Sequence, residues 1–245
     1  MMPLFMIRHI PNFITSLNLA SGFIAIILAL NGNMVTASWL ILAAMVFDFL
    51  DGFSARLLKA YSEIGKELDS LADVVSFGVA PAILIFQMLN KQQVPGNMAG
   101  IGFEDGKTAL LFIVPAIMVI CAALRLAVFN VDTTQTTTFR GMPTPASALA
   151  VVSLVLAAGL TDSVIAKYIT SSRVIVIVLT LFLSGLMVSR IPLLSQKVAN
   201  LKLRGNEGRF LLVAMVILSF ILLGMSALPL IIPLYLAASL LSLLF

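Results

Sequence analysis

Apolar runs of span length recur along this chain, and no other feature restricts its fold as severely. A helix rises about 1.5 Å per residue, so about 20 mainly apolar residues cross a ~30 Å hydrocarbon core. That ruler finds eight runs: 12–31, 34–58, 69–90, 108–130, 143–160, 172–190, 209–226 and 228–245. In such a core each backbone amide and carbonyl needs a partner inside the protein, which favours helices for these segments. The expected fold class is an all-α polytopic membrane protein of about eight spans. Asn31-Gly32-Asn33, Pro95-Gly96-Asn97 with Gly100, and Thr161-Asp162-Ser163 punctuate the runs. Pro229 and Pro233 sit at the junction of the last two, where one re-entrant hairpin could replace two crossings. Residues 3–10 read as a short amphipathic segment on the inner membrane surface.

Composition narrows the class further. Only 11% of the 245 residues are charged and 60% are hydrophobic, against roughly 25% charged in a soluble domain. Cys121 is the single cysteine, so a disulfide scaffold is excluded. His9 is the single histidine, which removes a His-based metal site and a Ser-His-Asp triad. Glycine-rich nucleotide loops of the dinucleotide or Walker type are absent. Met1 to Pro11 offers no small-residue cleavage site, so the first run is expected to be a span.

The net charge of +4 lies between the apolar runs. This placement speaks for topology and against a nucleic-acid partner. With a cytoplasmic N-terminus and eight crossings, the cytoplasmic side receives Arg8, Arg56, Lys59, Lys66, Arg125, Arg140, Arg190, Lys197, Lys202, Arg204 and Arg209. Lys91, Lys107, Lys167 and Arg173 fall outside, eleven cations against four. That bias predicts a multi-pass protein of the inner, cytoplasmic cell membrane with both termini cytoplasmic.

Anions are distributed very differently. Of 11 acidic residues, six lie between Asp48 and Asp73. Asp48 and Asp51 are three apart at the end of an apolar run, on one helix face. Asp69 and Asp73 are four apart at the start of the next, again on one face. The polar stretch Lys59 to Lys66 turns the chain between them, so two antiparallel helices present paired carboxylates near the cytoplasmic surface. An Asp at a helix centre costs about 2.5–3.5 kcal/mol on insertion scales, so something positive should occupy the space between them. Oxygen ligands alone suit Mg²⁺, Mn²⁺ or Ca²⁺, and four carboxylates can bridge two such ions. The coupling site of a cation-driven transporter would use the same residues. Gly52 and Ala55 permit close approach of a ligand, and Arg56 offers a fork for phosphate, which favours a nucleotide diphosphate site.

Asp48-x2-Asp51-Gly52-x2-Ala55-Arg56-x8-Gly65-x3-Asp69-x3-Asp73 matches at all eight fixed positions the signature of the CDP-alcohol phosphotransferase family, which this chain resembles. Ile10-Pro11-Asn12 through Thr15, Asn18 to Gly22, Leu68 to Pro81, Ala123 to Ala127 with Phe129-Asn130, and Phe139 to Pro145 resemble the bacterial integral-membrane phosphatidylserine synthase branch. Val128 stands where that branch has a second basic residue. The likeness covers roughly residues 8–190.

The resemblance implies a six-helix membrane core over residues 1–190, a C-terminal transmembrane hairpin over 191–245, a homodimer, and an active site facing the cytoplasm. It makes Asp48, Asp51, Asp69 and Asp73 ligands of two divalent cations, Mg²⁺ or Mn²⁺, and Asp73 the catalytic base. Gly52, Ala55 and Arg56 would hold CDP-diacylglycerol, with Thr15 and Asn18 on the first span. L-Serine would lie against Arg125, Asn130, Arg140 and Ser76. The implied reaction is phosphatidyl transfer to the serine hydroxyl with release of CMP. Another family member acting on glycerol 3-phosphate or an inositol phosphate is the alternative.

Overall fold

A computed structural model describes residues 4–90, 106–131, 139–193 and 207–241. Its helices are α1 (Leu4–Leu30), α2 (Met34–Leu57), α3 (Glu63–Asp73), α4 (Ala80–Asn90) and α5 (Gly106–Val131), followed by α6 (Thr144–Leu160), α7 (Val164–Ser171), α8 (Arg173–Val188), α9 (Glu207–Leu223) and α10 (Ile231–Leu241). A π-helical segment, Val74–Val79, joins α3 to α4, and a 3-10 segment, Gly224–Leu230, joins α9 to α10. Two short strands, β1 (Phe139–Arg140) and β2 (Pro192–Leu193), pair antiparallel with Phe139 opposite Leu193. The all-α polytopic architecture expected from the apolar runs is present.

Among the described residues five helical runs are long and apolar enough to cross a membrane: His9–Leu30, Met34–Leu57, Glu63–Asn90, Ala109–Val131 and Leu212–Ser239. The count is six if α6 and α7, bent by 118° at Thr161–Ser163, form one span. Three of the eight expected runs account for the difference. The run 143–160 is the 17-residue α6, whose C-cap is Thr161. The run 172–190 is the 16-residue α8. The last two runs are one apolar stretch, and α10 has only 11 residues. That stretch is not a straight rod, because Gly224 has φ +56 and α9 packs back on α10. The other difference lies at the N-terminus, where α1 continues through Pro11 from Leu4 to Leu30 without a separate surface segment.

Two turns set the geometry of the first three helices, and both use the same hydrogen-bond device. After α1, Gly32 has φ +83, its amide donates to Ala29 O at 2.9 Å, and Asn33 N donates to Leu28 O at 2.9 Å. After α2, Lys59 has φ +51, its amide donates to Arg56 O at 3.3 Å, and Ala60 N donates to Ala55 O at 3.0 Å. Both are Schellman caps, which satisfy the last carbonyls of a helix through one left-handed residue. The second cap places that residue at a lysine, where the left-handed conformation costs roughly 1–2 kcal/mol relative to glycine. Ser62 then caps α3, its hydroxyl accepting from Gly65 N at 3.0 Å. The helix therefore starts at Glu63, six residues ahead of the expected 69.

The core is centred on the continuous run from α3 through α4. Phe77, Leu84, Ile85 and Leu89 are fully buried there, with Ile41 of α2, Leu111 and Met118 of α5, and Val151 and Leu156 of α6 around them. Gln87 on α4 donates to Ala29 O at 2.8 Å and Leu30 O at 3.0 Å, closing the carbonyl end of α1. In an apolar surround such unpaired carbonyls are costly. Large side chains such as Phe23, Val46, Phe49 and Ile120 point outward, as a lipid-facing shell requires.

The strained lysine gives a direct check on this turn. Lys59→Gly should stabilise the protein by about 1 kcal/mol, and Lys59→Val should destabilise it. Thermal unfolding in detergent should show a higher midpoint for the glycine variant and a lower one for the valine variant.

Candidate active site

The four aspartates come from two helices, and α1 packs on both α2 and α3. One carboxylate oxygen from each of Asp48, Asp51 and Asp69 lies within 4.8 Å of the other two. Asp48 and Asp69 are within hydrogen-bonding reach of each other. Two ionised carboxylates at that range need a proton or a cation between them. Asp51 Oδ2 and Asp69 Oδ1 are buried and have no hydrogen-bond partner. Buried orphan acceptors on converging carboxylates are the donor set of a hard divalent cation, so these residues fit such an ion.

Asp73 stands apart from that trio. It is 9% exposed, and Asn18 Nδ2 of α1 donates to its Oδ1 at 3.4 Å. Asn18 is in turn fixed from the π segment, where Ser76 Oγ donates to Asn18 O at 3.0 Å. A side chain at Gly22 would forbid this arrangement, because its Cβ would come within 2.7 Å of Ser76 Cα. Glycine on α1 thus permits the close approach that sets the chain Ser76–Asn18–Asp73. Asn18 Oδ1 remains buried without a partner.

Beside the trio opens a cavity of about 230 Å³. Asp51, Gly52, Ala55 and Arg56 form one wall; Asn12 and Thr15 of α1 form a second; Gly65, Lys66 and Asp69 close it. No atom lies within 4 Å of where a Gly52 Cβ would be, so this position borders open space. At Gly65 a Cβ would meet Asn12 Oδ1 at 2.8 Å and Ser62 Oγ at 2.9 Å, so glycine there brings α1 against the start of α3. The cavity is therefore acidic at its floor and carries Arg56 and Lys66 at its rim. A larger cavity of about 330 Å³ lies at the far ends of α2, α4 and α6, lined by Met34, Val35, Met88, Val155 and Lys167. It holds no carboxylate and is not the site of this chemistry.

The structure brings most of the expected residues together and separates others. Asp48, Asp51 and Asp69 converge, and Gly52, Ala55, Arg56 and Thr15 line the cavity beside them. Asn18, expected with Thr15, binds Asp73 instead. Ser76 is fully buried behind Asn18. Asn130 is a tie between α5 and α3: its Nδ2 donates to Ser70 Oγ at 2.7 Å, and its carbonyl accepts from Lys66 Nζ at 3.1 Å. Arg125 is 8% exposed, its Nε donates to Met142 O at 3.2 Å, and its guanidinium lies 5.0 Å from the Phe129 ring centroid. Arg140 belongs to β1, and its side chain lies outside the described residues. Asn12, Tyr61, Ser62 and Lys66 also line the cavity. Of these, Asn12 falls in the Ile10-Pro11-Asn12 stretch noted in the sequence, and Ser62 carries a local signal as a helix cap three residues before Gly65.

Comparison with known proteins gives a consistent answer. Residues 8–186 match the profile of the family described as CDP-alcohol phosphatidyltransferase. A CDP-diacylglycerol–serine O-phosphatidyltransferase of Helicobacter pylori (strain J99) is 37% identical over 157 residues, covering 63% of this chain and 60% of the relative. One from Bacillus subtilis is 36% identical over 148 residues, 60% of this chain and 75% of the relative. An archaetidylserine synthase of Methanothermobacter thermautotrophicus is 37% identical over 149 residues, 60% of this chain and 58% of the relative. The match thus spans about 60% of the length of the Helicobacter relative.

Two glycines separate architecture from cavity. Gly22→Ala should lower the thermal unfolding midpoint, because its Cβ meets backbone of the π segment. Gly52→Ala should leave the midpoint near that of the unaltered protein, since its surroundings are open. Unfolding curves of the two variants in the same detergent make the comparison.

Proposed function

The chain belongs to the CDP-alcohol phosphatidyltransferase family, and on that premise we propose that it transfers a phosphatidyl group from CDP-diacylglycerol to the hydroxyl of L-serine. The observation that carries this reading is the convergence of Asp48, Asp51 and Asp69 beside a cavity bearing Arg56. The names of the serine-using relatives support the choice of acceptor.

Asp48, Asp51, Asp69 and Asp73 would hold two divalent cations, Mg²⁺ or Mn²⁺. When bound, such ions neutralise charge on phosphoryl oxygens and on the departing phosphate. The protein's own groups do the rest. Gly52 and Ala55 leave room for the cytidine against α2. Arg56 and Lys66 at the rim face the pyrophosphate, where a planar fork and a point charge complement each other. Asp73 takes the proton of the serine hydroxyl. Asn18 occupies one of its oxygens, which leaves the other for the acceptor. The hydroxyl oxygen bonds to the phosphorus that bears the diacylglycerol, the bond from that phosphorus to the CMP oxygen breaks, and CMP leaves with the electron pair. No covalent enzyme intermediate is needed, as no activated Ser, Cys or His stands in the cavity wall.

The placement of the cations supports an active site facing the cytoplasm from the inner cell membrane, with both termini on that side. A homodimer and a division at residue 190 between the catalytic core and the C-terminal hairpin complete the proposal. A phosphorylated acceptor would call for further cations around Asp73. The cations in the cavity wall, Arg56 and Lys66, are those that would face the pyrophosphate, which favours an acceptor without a phosphate of its own, such as serine.

Purified protein given CDP-diacylglycerol, Mn²⁺ and labelled serine should release CMP and form labelled lipid. Glycerol 3-phosphate and inositol phosphate, run in parallel, should give none. Asp73→Asn should abolish turnover while CDP-lipid binding stays within a few-fold. CMP release only with a phosphorylated acceptor would overturn the serine assignment. Near-normal turnover by the Asn variant would overturn the role of Asp73.

A further inference from the structure

Lys66, Ser70 and Asn130 close a ring of hydrogen bonds between two helices at the edge of the cavity. Lys66 Nζ on α3 donates to Asn130 O on α5 at 3.1 Å. Asn130 Nδ2 donates back to Ser70 Oγ on α3 at 2.7 Å. Ser70 Oγ donates to Lys66 O at 3.1 Å, one turn back along the same helix. The ring thus holds Lys66 at both ends, by its backbone carbonyl and by its ammonium. Asn130 is the residue before the last of α5, so its carbonyl is among those a helix leaves without an internal partner. A cation placed there also meets the negative end of the helix dipole.

The ring bears on the site because Lys66 also lines the cavity, together with Arg56 and Asp69. Lys66 forms no ion pair among the described residues. A neutral carbonyl holds its ammonium, so its charge stays available to an anion. An ammonium has three donors, and Asn130 O takes one of them. A loose lysine side chain loses rotamer freedom when it grips a phosphate. Here the ring imposes that order before any ligand arrives. We propose that Asn130 and Ser70 are positioning residues for the CDP-lipid, which hold the Lys66 ammonium at the cavity edge for the pyrophosphate. The resemblance placed Asn130 with serine; the ring assigns it to the other substrate. Neither Asn130 nor Ser70 touches that substrate, and both act through Lys66. This inference rests on the reading above, in which Lys66 faces the pyrophosphate.

A double-mutant cycle read by steady-state kinetics, on the full chain in detergent–lipid micelles, tests it. Lys66→Met keeps the length of the side chain and removes its charge. It should raise KM for CDP-diacylglycerol about tenfold, and Asn130→Ala should raise it about fivefold. In both variants KM for serine and kcat should stay within about twofold. In the Lys66→Met background Asn130→Ala should have no further effect, because no ammonium is left to place. Ser70→Ala removes the other half of the same bond and should match Asn130→Ala, in either background, which keeps the test intact if one of them fails to fold. Effects that multiply in the double variant overturn the inference, since Asn130 would then act on the fold and not through Lys66. A rise in KM for serine in place of CDP-diacylglycerol overturns it and returns Asn130 to the acceptor. Unchanged constants in the single variants overturn it as well. Each of these outcomes leaves serine transfer by the unaltered protein standing. An unaltered protein that releases no CMP from CDP-diacylglycerol overturns the functional reading and this inference with it.

Discussion

Negative charge held in an apolar surround is the constraint on which this structure depends. Three carboxylates meet within 4.8 Å of one another at one end of a helical membrane protein. At an effective dielectric constant of about 20, two unit charges at that distance repel by about 3 kcal/mol. The ion pair that the described residues show, Lys167 with Asp162 at 2.9 Å, is at the other end of the molecule. The cluster therefore calls for counter-charge from outside the chain. Much of the local architecture serves the same end: α1 spaces α2 from α3, Gly65 draws α1 in, and the side of Gly52 stays open.

Helical periodicity made the carboxylates readable in the sequence. Asp48 and Asp51, and likewise Asp69 and Asp73, are spaced for one face each, and an apolar run fixes their depth. What joins those faces was not readable. The contacts of α1 with both helices depend on Gly22 and Gly65, whose purpose emerges only when Ser76 and Asn12 are seen beside them. The start of α3 at Glu63 is set by the Ser62 cap, and the turn before it uses Lys59 in a left-handed conformation, where local preference calls for glycine. Helix α7 went unread because its eight residues are too few for a periodic signal.

The acceptor side shows the same limit more sharply. Asn18 was legible as a polar residue on the first span, but its partner Asp73 lies 55 residues away in the sequence. Asn130 and Ser76 carry hydrogen bonds that tie helices together. Tyr235 sits in an apolar stretch with no motif around it, and only the packing of α10 on α6 buries it in the core. Short-range pattern thus located the charge, while long-range packing decided which side chains stand around it.

Metal binding is the most direct measure of whether the carboxylates form a cation site. Mn²⁺ bound to the purified protein can be counted by electron paramagnetic resonance, without any turnover. Two ions per chain are expected, and the double variant Asp51→Asn/Asp69→Asn should lose both while keeping its helical circular dichroism. Equal Mn²⁺ binding by the unaltered and doubly substituted proteins, or none by either, would contradict the account.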